Sequence, residues 1–180
     1  GTAVAEIDEK TYVLLDQAIA EVQPGETILL RANVELEDDT GLQIIGKGTI
    51  ESPITLDLNG FDITGANSKG GNTTGAKSGI IKLSASHVLL TDTSPREDKG
   101  AIINTSTSTG ATSTVLVIDG STLTIDGGLR IETKGSSNAC ALQTKGATVT
   151  VENAVIEGSG GYAIKQLSYE IGDLGPNEYV

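Results

Sequence analysis

A strand–corner–strand unit that recurs along the chain constrains the fold most strongly. Four segments align on a small corner residue, and these corners are Gly60, Ser86, Gly120 and Gly146. The first and last of the three intervals between corners are equal. The middle interval is longer by the length of residues 105–112, a Thr/Ser-rich stretch of loop composition. Without that insertion the spacing is uniform, which is typical of chains whose units stack on one another.

A third short strand follows the unit in most repeats, at residues 48–50, 101–103, 129–131 and 154–156. Three strands per repeat of about 25 residues predict an all-β fold, a right-handed parallel β-helix built from three-strand coils. Because side chains alternate along a strand, we expect one inward ladder of apolar residues. That ladder comprises Ile63, Leu89, Leu123 and Val149.

One helix precedes the repeats. Leu15, Ala18, Ile19 and Val22 fall at helical spacing, and Pro24 follows them. The pattern predicts an amphipathic helix, and we expect it to cap the N-terminal edge of the β-helix. The whole chain is interpreted as one domain over residues 1–180. Its expected parts are an N-terminal cap (11–25), the coils (26–167) and a C-terminal cap or linker (168–180).

Charge and composition exclude several classes of partner. The 180 residues carry a net charge of −12, which repels the phosphates of nucleic acid and of anionic membranes. No apolar run approaches the ~20 residues of a membrane span, so membrane insertion is not expected. The single cysteine, Cys140, excludes an internal disulfide and is interpreted as a buried packing thiol.

Three segments carry a resemblance to a known family. Residues 12–28 read Tyr-Val-Leu-Leu-Asp-Gln-Ala-Ile-Ala-Glu-Val-Gln-Pro-Gly-Glu-Thr-Ile, which is similar to the opening of many pectin-lyase-like β-helices. Residues 54–65 and 89–94 resemble phrases in large surface proteins of Gram-positive anaerobes. The resemblance implies an extracellular or cell-wall location. It does not imply an activity, because that fold hosts lyases, hydrolases, adhesins and tailspikes.

Catalytic residues of those enzymes are not found. Arg31, Arg96 and Arg130 belong to no arginine-proline-arginine motif, and His87, the only histidine, lies beside a corner. Asp57 and Asp119 are assigned to comparable first strands two coils apart. Their separation, roughly 9–10 Å from strand spacing alone, lies at or beyond the limit for a glycosidase pair. No catalytic residue is therefore predicted.

Other site types are weighed in the same way. The acids Glu35, Glu37, Asp38 and Asp39 allow a calcium site, but a solvated turn is the preferred interpretation, and no cofactor is expected. The aromatic residues Tyr12, Phe61, Tyr162, Tyr169 and Tyr179 do not indicate a sugar-binding platform. Two Thr-x-Thr pairs, at 122–124 and 148–150, resemble the faces of ice-binding proteins, but strand propensity alone explains them.

The expected function is a non-catalytic, structural or adhesive module of a secreted or cell-surface protein, with a polysaccharide or cell-surface glycan as its partner. The alternative is a carbohydrate-active β-helix, a lyase or hydrolase that is degenerate or lacks its catalytic part. The candidate ligand face is a groove walled by loops 66–79 and 105–113. Its floor is predicted to carry the polar residues Asp57, Lys82, Asp119 and Gln143.

Overall fold

The computed structural model describes residues 1–70 and 78–166, and the backbone of Glu178–Tyr179. The N-terminal elements are β1 (Ala5–Ile7), β2 (Lys10–Tyr12), α1 (Leu15–Glu21), β3 (Thr27–Leu30), β4 (Val34–Glu35) and β5 (Leu42–Ile45). The middle elements are β6 (Ile54–Asp57), β7 (Ile63–Gly65), β8 (Ile81–Ser84), β9 (His87–Thr91) and β10 (Ala101–Asn104). The last elements are β11 (Ser113–Ile118), β12 (Thr122–Ile125), β13 (Leu129–Lys145), β14 (Thr148–Val151), β15 (Ala154–Gln166) and β16 (Glu178–Tyr179).

The strands form two mostly parallel sheets. Sheet A has the order β16-β14-β12-β9-β6-β3-β1-β2. Sheet B has the order β4-β7-β10-β13-β11-β8-β5, and β15 pairs with β13 beside this path. One sheet curls into a half-barrel. The chain passes back and forth between the sheets, so that the turns joining them stack in successive levels.

The apolar core lies between the sheets and is built from β-branched and leucine side chains in register. In sheet B, one row of paired positions is Val34, Ile63, Ile102, Ile131 and Ile156. Ile63, Ile102 and Ile131 in this row are fully buried. Burial of each such side chain contributes about 1.5–3 kcal/mol, so these aliphatic rows supply much of the stability of the core.

The predicted right-handed parallel β-helix of three-strand coils is wrong; only the dominance of strands is confirmed. The prediction separates the third strand of one coil from the first strand of the next coil. In the structure the two belong to one sheet, because β13 runs unbroken for 17 residues and pairs with both β10 and β11. The period is not constant either. The successive paired positions in sheet A lie at unequal intervals along the chain: Thr27, Thr55, Leu89, Thr124 and Thr150.

The N-terminal edge also differs from the prediction. A helix forms from Leu15 to Glu21, with Leu15, Ala18 and Ile19 buried, but it does not cap the sheet. Instead, β1 pairs antiparallel with β3 and β2 pairs antiparallel with β1. These two strands satisfy the backbone groups of the β3 edge directly, so no capping helix is needed there.

The predicted ladder is correct in part. Leu123 and Val149 are paired neighbours and are buried. Leu89 is one position out of register, because Val88 is the residue that pairs with Leu123. Ile63 is buried but lies in sheet B.

The corner alignment fails at Gly60. This residue joins sheet A to sheet B, whereas Ser86, Gly120 and Gly146 join sheet B to sheet A. The interval from Gly60 to Ser86 therefore matches the interval from Gly120 to Gly146 by coincidence.

The proposed C-terminal cap or linker, residues 168–180, lies outside the described residues apart from the backbone of β16. Within the described part, α1 is the helix, and it has neither the length nor the apolarity to cross a bilayer.

Candidate functional site: a cationic cavity at the stacked turns

The structure brings three of the four predicted ligand-face residues to sheet B. Lys82 and Gln143 both pair with Leu116, so they lie on one row across β8, β11 and β13. Their strand neighbours Ile81 and Leu142 belong to the core, so this row faces away from it. The row is nevertheless covered: Lys82 is 0% exposed and Gln143 is 4% exposed.

Asp119 follows β11 at the end of the same face. Its Oδ2 accepts a 2.6 Å hydrogen bond from the Ser84 hydroxyl. Burial lowers the pKa of the Lys82 ammonium, and the negative charge of Asp119 opposes that shift. The predicted groove floor is therefore a covered polar strip in which Lys82 and Asp119 interact electrostatically.

Asp57 does not join these residues. It lies in β6 of sheet A and is 4% exposed. Its carboxylate accepts hydrogen bonds from the Asn59 and Thr93 backbone amides at 2.9 and 3.0 Å and from the Thr93 hydroxyl at 2.5 Å. Asp57 and Asp119 thus lie in different parts of the fold, and the assignment of both to comparable strands is wrong.

Several other candidate residues have structural partners. The His87 Nδ1 lies 2.8 Å from the Thr122 hydroxyl. Cys140 is buried, as predicted, and burial raises the pKa of its thiol to about 11. The Tyr12 hydroxyl donates to Glu21.

The acid cluster and the remaining tyrosines complete the predicted set. Asp39 accepts hydrogen bonds from the Ser68 amide and hydroxyl, which lower the pKa of its carboxyl. Across residues 1–70 and 78–166, no group of three His, Cys, Asp or Glu side chains could hold a metal ion. Tyr162 is half exposed, and the Lys165 ammonium lies 5.5 Å from its ring centroid. Tyr169 and the Tyr179 side chain lie outside the described residues.

A polar cavity of about 230 Å³ opens where the turns from sheet A to sheet B stack. It is lined by Asn33, by residues 60–62, by Arg96, Asp98 and Lys99, and by Arg130. Four successive levels of the chain contribute to it. Three cations therefore converge in a protein whose net charge is −12.

A buried carboxylate shapes the wall of this cavity. Asp92 is 2% exposed, and its Oδ2 accepts hydrogen bonds from the Gly60 and Gly100 amides at 3.0 and 2.7 Å. Its Oδ1 accepts from the Ser94 amide at 2.9 Å. Burial alone would raise the pKa of Asp92, but the hydrogen bonds from Gly100, Ser94 and Gly60 outweigh it and lower the pKa. The carboxylate fixes two neighbouring turns against each other.

Gly60 and Gly100 allow these turns to approach closely. Gly60 has a φ of 83°, and a Cβ on Gly100 would lie 2.1 Å from the Phe61 carbonyl oxygen. The Asp62 carboxylate accepts from the Ala101 amide, while the Asp62 amide donates to the Asn33 side chain. The backbone of the cavity is thus positioned by side-chain hydrogen bonds within the protein.

The two arginines are only partly used by the protein. Arg96 Nη1 donates to the Gly60 carbonyl at 3.3 Å. Arg130 Nε lies 3.2 Å from Glu132 Oε2 without hydrogen-bond geometry. Within the described part of the chain, Glu132 is the ion-pair partner of Arg130, and it also pairs with Lys134 at 2.6 Å. The guanidinium groups keep donors for another acceptor.

Sequence reasoning considered each arginine separately and missed this convergence. A signal was present: the interval from Arg96 to Arg130 equals the interval from Ser86 to Gly120, which are equivalent corners. Residues one repeat apart lie on adjacent levels. Applying the interval to charged turn residues, and not only to corners, would have placed the two arginines together.

Comparison with known proteins does not bear out the resemblance inferred from residues 12–28, 54–65 and 89–94. No family model, no curated protein and no solved structure matches this chain. The assignment to pectin-lyase-like proteins is therefore corrected, in agreement with the two-sheet architecture.

Proposed function

We propose that this chain is a non-catalytic binding module of a secreted or cell-surface protein, with a structural or adhesive role, and that it binds a polysaccharide or cell-surface glycan in the turn cavity. Nucleic acid and membranes are not its partners. One observation carries the proposal: a polar cavity in which amide, carboxylate and guanidinium groups from four levels of the chain come together. Sugar hydroxyls both donate and accept hydrogen bonds, so a site that combines such donors and acceptors is suited to them.

Rigidity supports an adhesive role. Buried Asp57 and Asp92 each accept hydrogen bonds from separate segments, so the turns around the cavity are held in one arrangement. A preformed site loses little conformational entropy when a ligand binds. The same bonds stiffen the stack of turns, which suits a module that holds other parts of a protein at a distance.

A glycan array, probed with and without calcium, tests the proposal. We expect binding to a subset of glycans that does not depend on calcium. The variant is Asn33→Ala, which removes an exposed amide from the lining and should weaken binding. The matched control is Asn138→Ala, the same change at an exposed asparagine outside the lining. An array without a hit, or hits that Asn33→Ala leaves unchanged, would refute glycan binding at this cavity.

A second measurement addresses the non-catalytic part. Purified protein incubated with polygalacturonate and with other acidic glycans, with and without calcium, should release no product. Reproducible cleavage that Asp57→Ala, Asp119→Ala or Arg130→Gln abolishes would overturn the proposal.

A further inference from the structure

We infer that the turn cavity is an oxyanion site: it binds a single carboxylate or sulfate group, and on a glycan it selects an isolated acidic residue. The inference deepens the proposed function, on which its glycan part rests. It starts from the charge at the cavity. Arg96, Lys99 and Arg130 line it against two carboxylates, Asp62 and Asp98. The lining has one cation more than it has carboxylates, and the Asp92 carboxylate behind it is held by three backbone amides, whereas the whole chain carries −12.

The carboxylates in the lining do not neutralise the arginines. Asp62 accepts from the Ala101 amide, and no ion pair joins Asp62 or Asp98 to Arg96 or Arg130 within residues 1–70 and 78–166. Arg130 shares the carboxylate of Glu132 with Lys134, so one negative charge serves two cations. The Arg130 guanidinium therefore keeps donors that an added anion could use.

Guanidinium geometry specifies the kind of anion. Arginine presents its donors as a planar fork that matches two oxygens of one carboxylate or sulfate. Arg96 donates one hydrogen bond to the Gly60 carbonyl, and the Arg130 side chain is 43% exposed, so each guanidinium group keeps donors for an anion. Lys99 donates to the Ser94 carbonyl and adds positive charge at the rim.

The volume of the cavity and the negative net charge of the protein restrict the ligand further. A cavity of about 230 Å³ is smaller than the ~300–1,000 Å³ of sites for drug-sized ligands, so it admits one compact group. A dense polyanion would be repelled by the net charge of the protein beyond the cavity. The site therefore favours an acidic group flanked by neutral sugars or at a chain end.

The experiment is an NMR titration of ¹⁵N-labelled protein that follows the Gly60 and Gly100 amides. The probes are inorganic sulfate, methyl glucuronide, neutral methyl glucoside and polygalacturonate, the last at equal concentration of acid groups. We expect saturable shifts with sulfate and methyl glucuronide, at least tenfold weaker binding of methyl glucoside, and no tighter binding of polygalacturonate. Raising the salt concentration should weaken binding, because the site is partly exposed.

The variants separate the site from a general charge effect. Arg96→Gln and Arg130→Gln should each weaken sulfate and methyl glucuronide binding about tenfold or more, since each removes a charge-assisted donor pair. Arg31→Gln is the matched control: it removes the same charge from an exposed arginine 3.9 Å from Glu6, and affinity should change less than twofold. Circular dichroism checks that each variant is folded. Arg130→Lys tests the fork, because it keeps the charge and should still weaken binding.

Two results would overturn the inference: no shift with either anion, or affinities that Arg96→Gln and Arg130→Gln leave unchanged. Tighter binding of polygalacturonate than of methyl glucuronide would refute selection for an isolated group. Failure of the proposed function gives a different result from failure of this inference. If the two variants lose sulfate binding and the glycan array shows no hit, the oxyanion site stands and glycan binding is rejected. If the array shows a hit that both variants retain, glycan binding stands and the oxyanion site is rejected.

Discussion

Asp92 gives the sharpest test of how the cavity wall is held. Its carboxylate accepts three backbone amides, and it is 2% exposed. In Asp92→Asn one oxygen becomes an NH₂ group. Turned toward Gly60 and Gly100, that group opposes two donors; turned toward Ser94, it opposes one. The second orientation loses fewer hydrogen bonds, so the expected loss of stability is worked out for that orientation.

Loss of one hydrogen bond to a charged acceptor costs about 1.5–3 kcal/mol, and the buried Ser94 amide is left without its partner. We therefore expect the free energy of unfolding to fall by about 2–3 kcal/mol. With a urea m-value of about 2.5 kcal/mol/M, near the upper end for small proteins, the midpoint should shift by about 1 M. Asp92→Ala removes all three bonds and should shift it further.

Urea unfolding followed by far-UV circular dichroism measures the effect. Asp98→Asn is the control, because it changes an exposed acid in the same turn and should alter stability by less than about 0.5 kcal/mol. A midpoint shift below about 0.3 M for Asp92→Asn, or equal shifts for both variants, would show that the carboxylate does not hold the turns. If Asp92→Asn also weakens sulfate binding, the hydrogen bonds of Asp92 position the residues that bind the anion.

Three further predictions concern the core, the thiol and acid stability. Leu123→Ala should lower the free energy of unfolding by about 2–5 kcal/mol in urea titrations, because Leu123 is 2% exposed in the core, whereas the outward Thr124→Ala should cost less than about 1 kcal/mol. Cys140 should resist a thiol reagent at pH 8 in native protein and react fully in guanidinium, since burial raises its pKa to about 11; fast native labelling would contradict this. The folded-state pKa of Asp92 is lowered, so its contribution is present above the unfolded pKa of about 3.9 and is lost as pH falls through the folded pKa. The stability difference between the natural protein and Asp92→Asn should therefore shrink below about pH 4; a constant difference down to pH 2 would refute the assignment.

Local patterns in the sequence were read correctly where one short segment determines the outcome. Helical spacing placed α1 from Leu15, and alternation along each strand placed Leu123 and Val149 in the core. The buried state of Cys140 followed from its small apolar surroundings. In each case the period of the side chains, about 3.6 in a helix or 2 in a strand, is a property of the local backbone and is visible without knowledge of the rest of the chain.

The alignment of one repeat with the next does not depend on local sequence, and the predicted alignment is wrong. Gly60 resembles Gly120 in sequence, but it joins the sheets in the opposite sense, and this moved Asp57 to the wrong sheet. A shift of one position placed Leu89, and not Val88, beside Leu123. Register depends on which strand a segment pairs with, and loops of variable length remove the constant interval that would have revealed the pairing.

The sequence by itself determined the strand-rich composition, the helix that begins at Leu15, the aliphatic character of the core and the acidic net charge. Those are properties of residue types and short periods. Tertiary structure decided that the strands form two sheets with a continuous β13, that Lys82 is covered, and that Arg96 and Arg130 meet in one cavity. Each of these depends on contacts between segments that lie far apart along the chain. The free energy of those contacts cannot be inferred from any one segment.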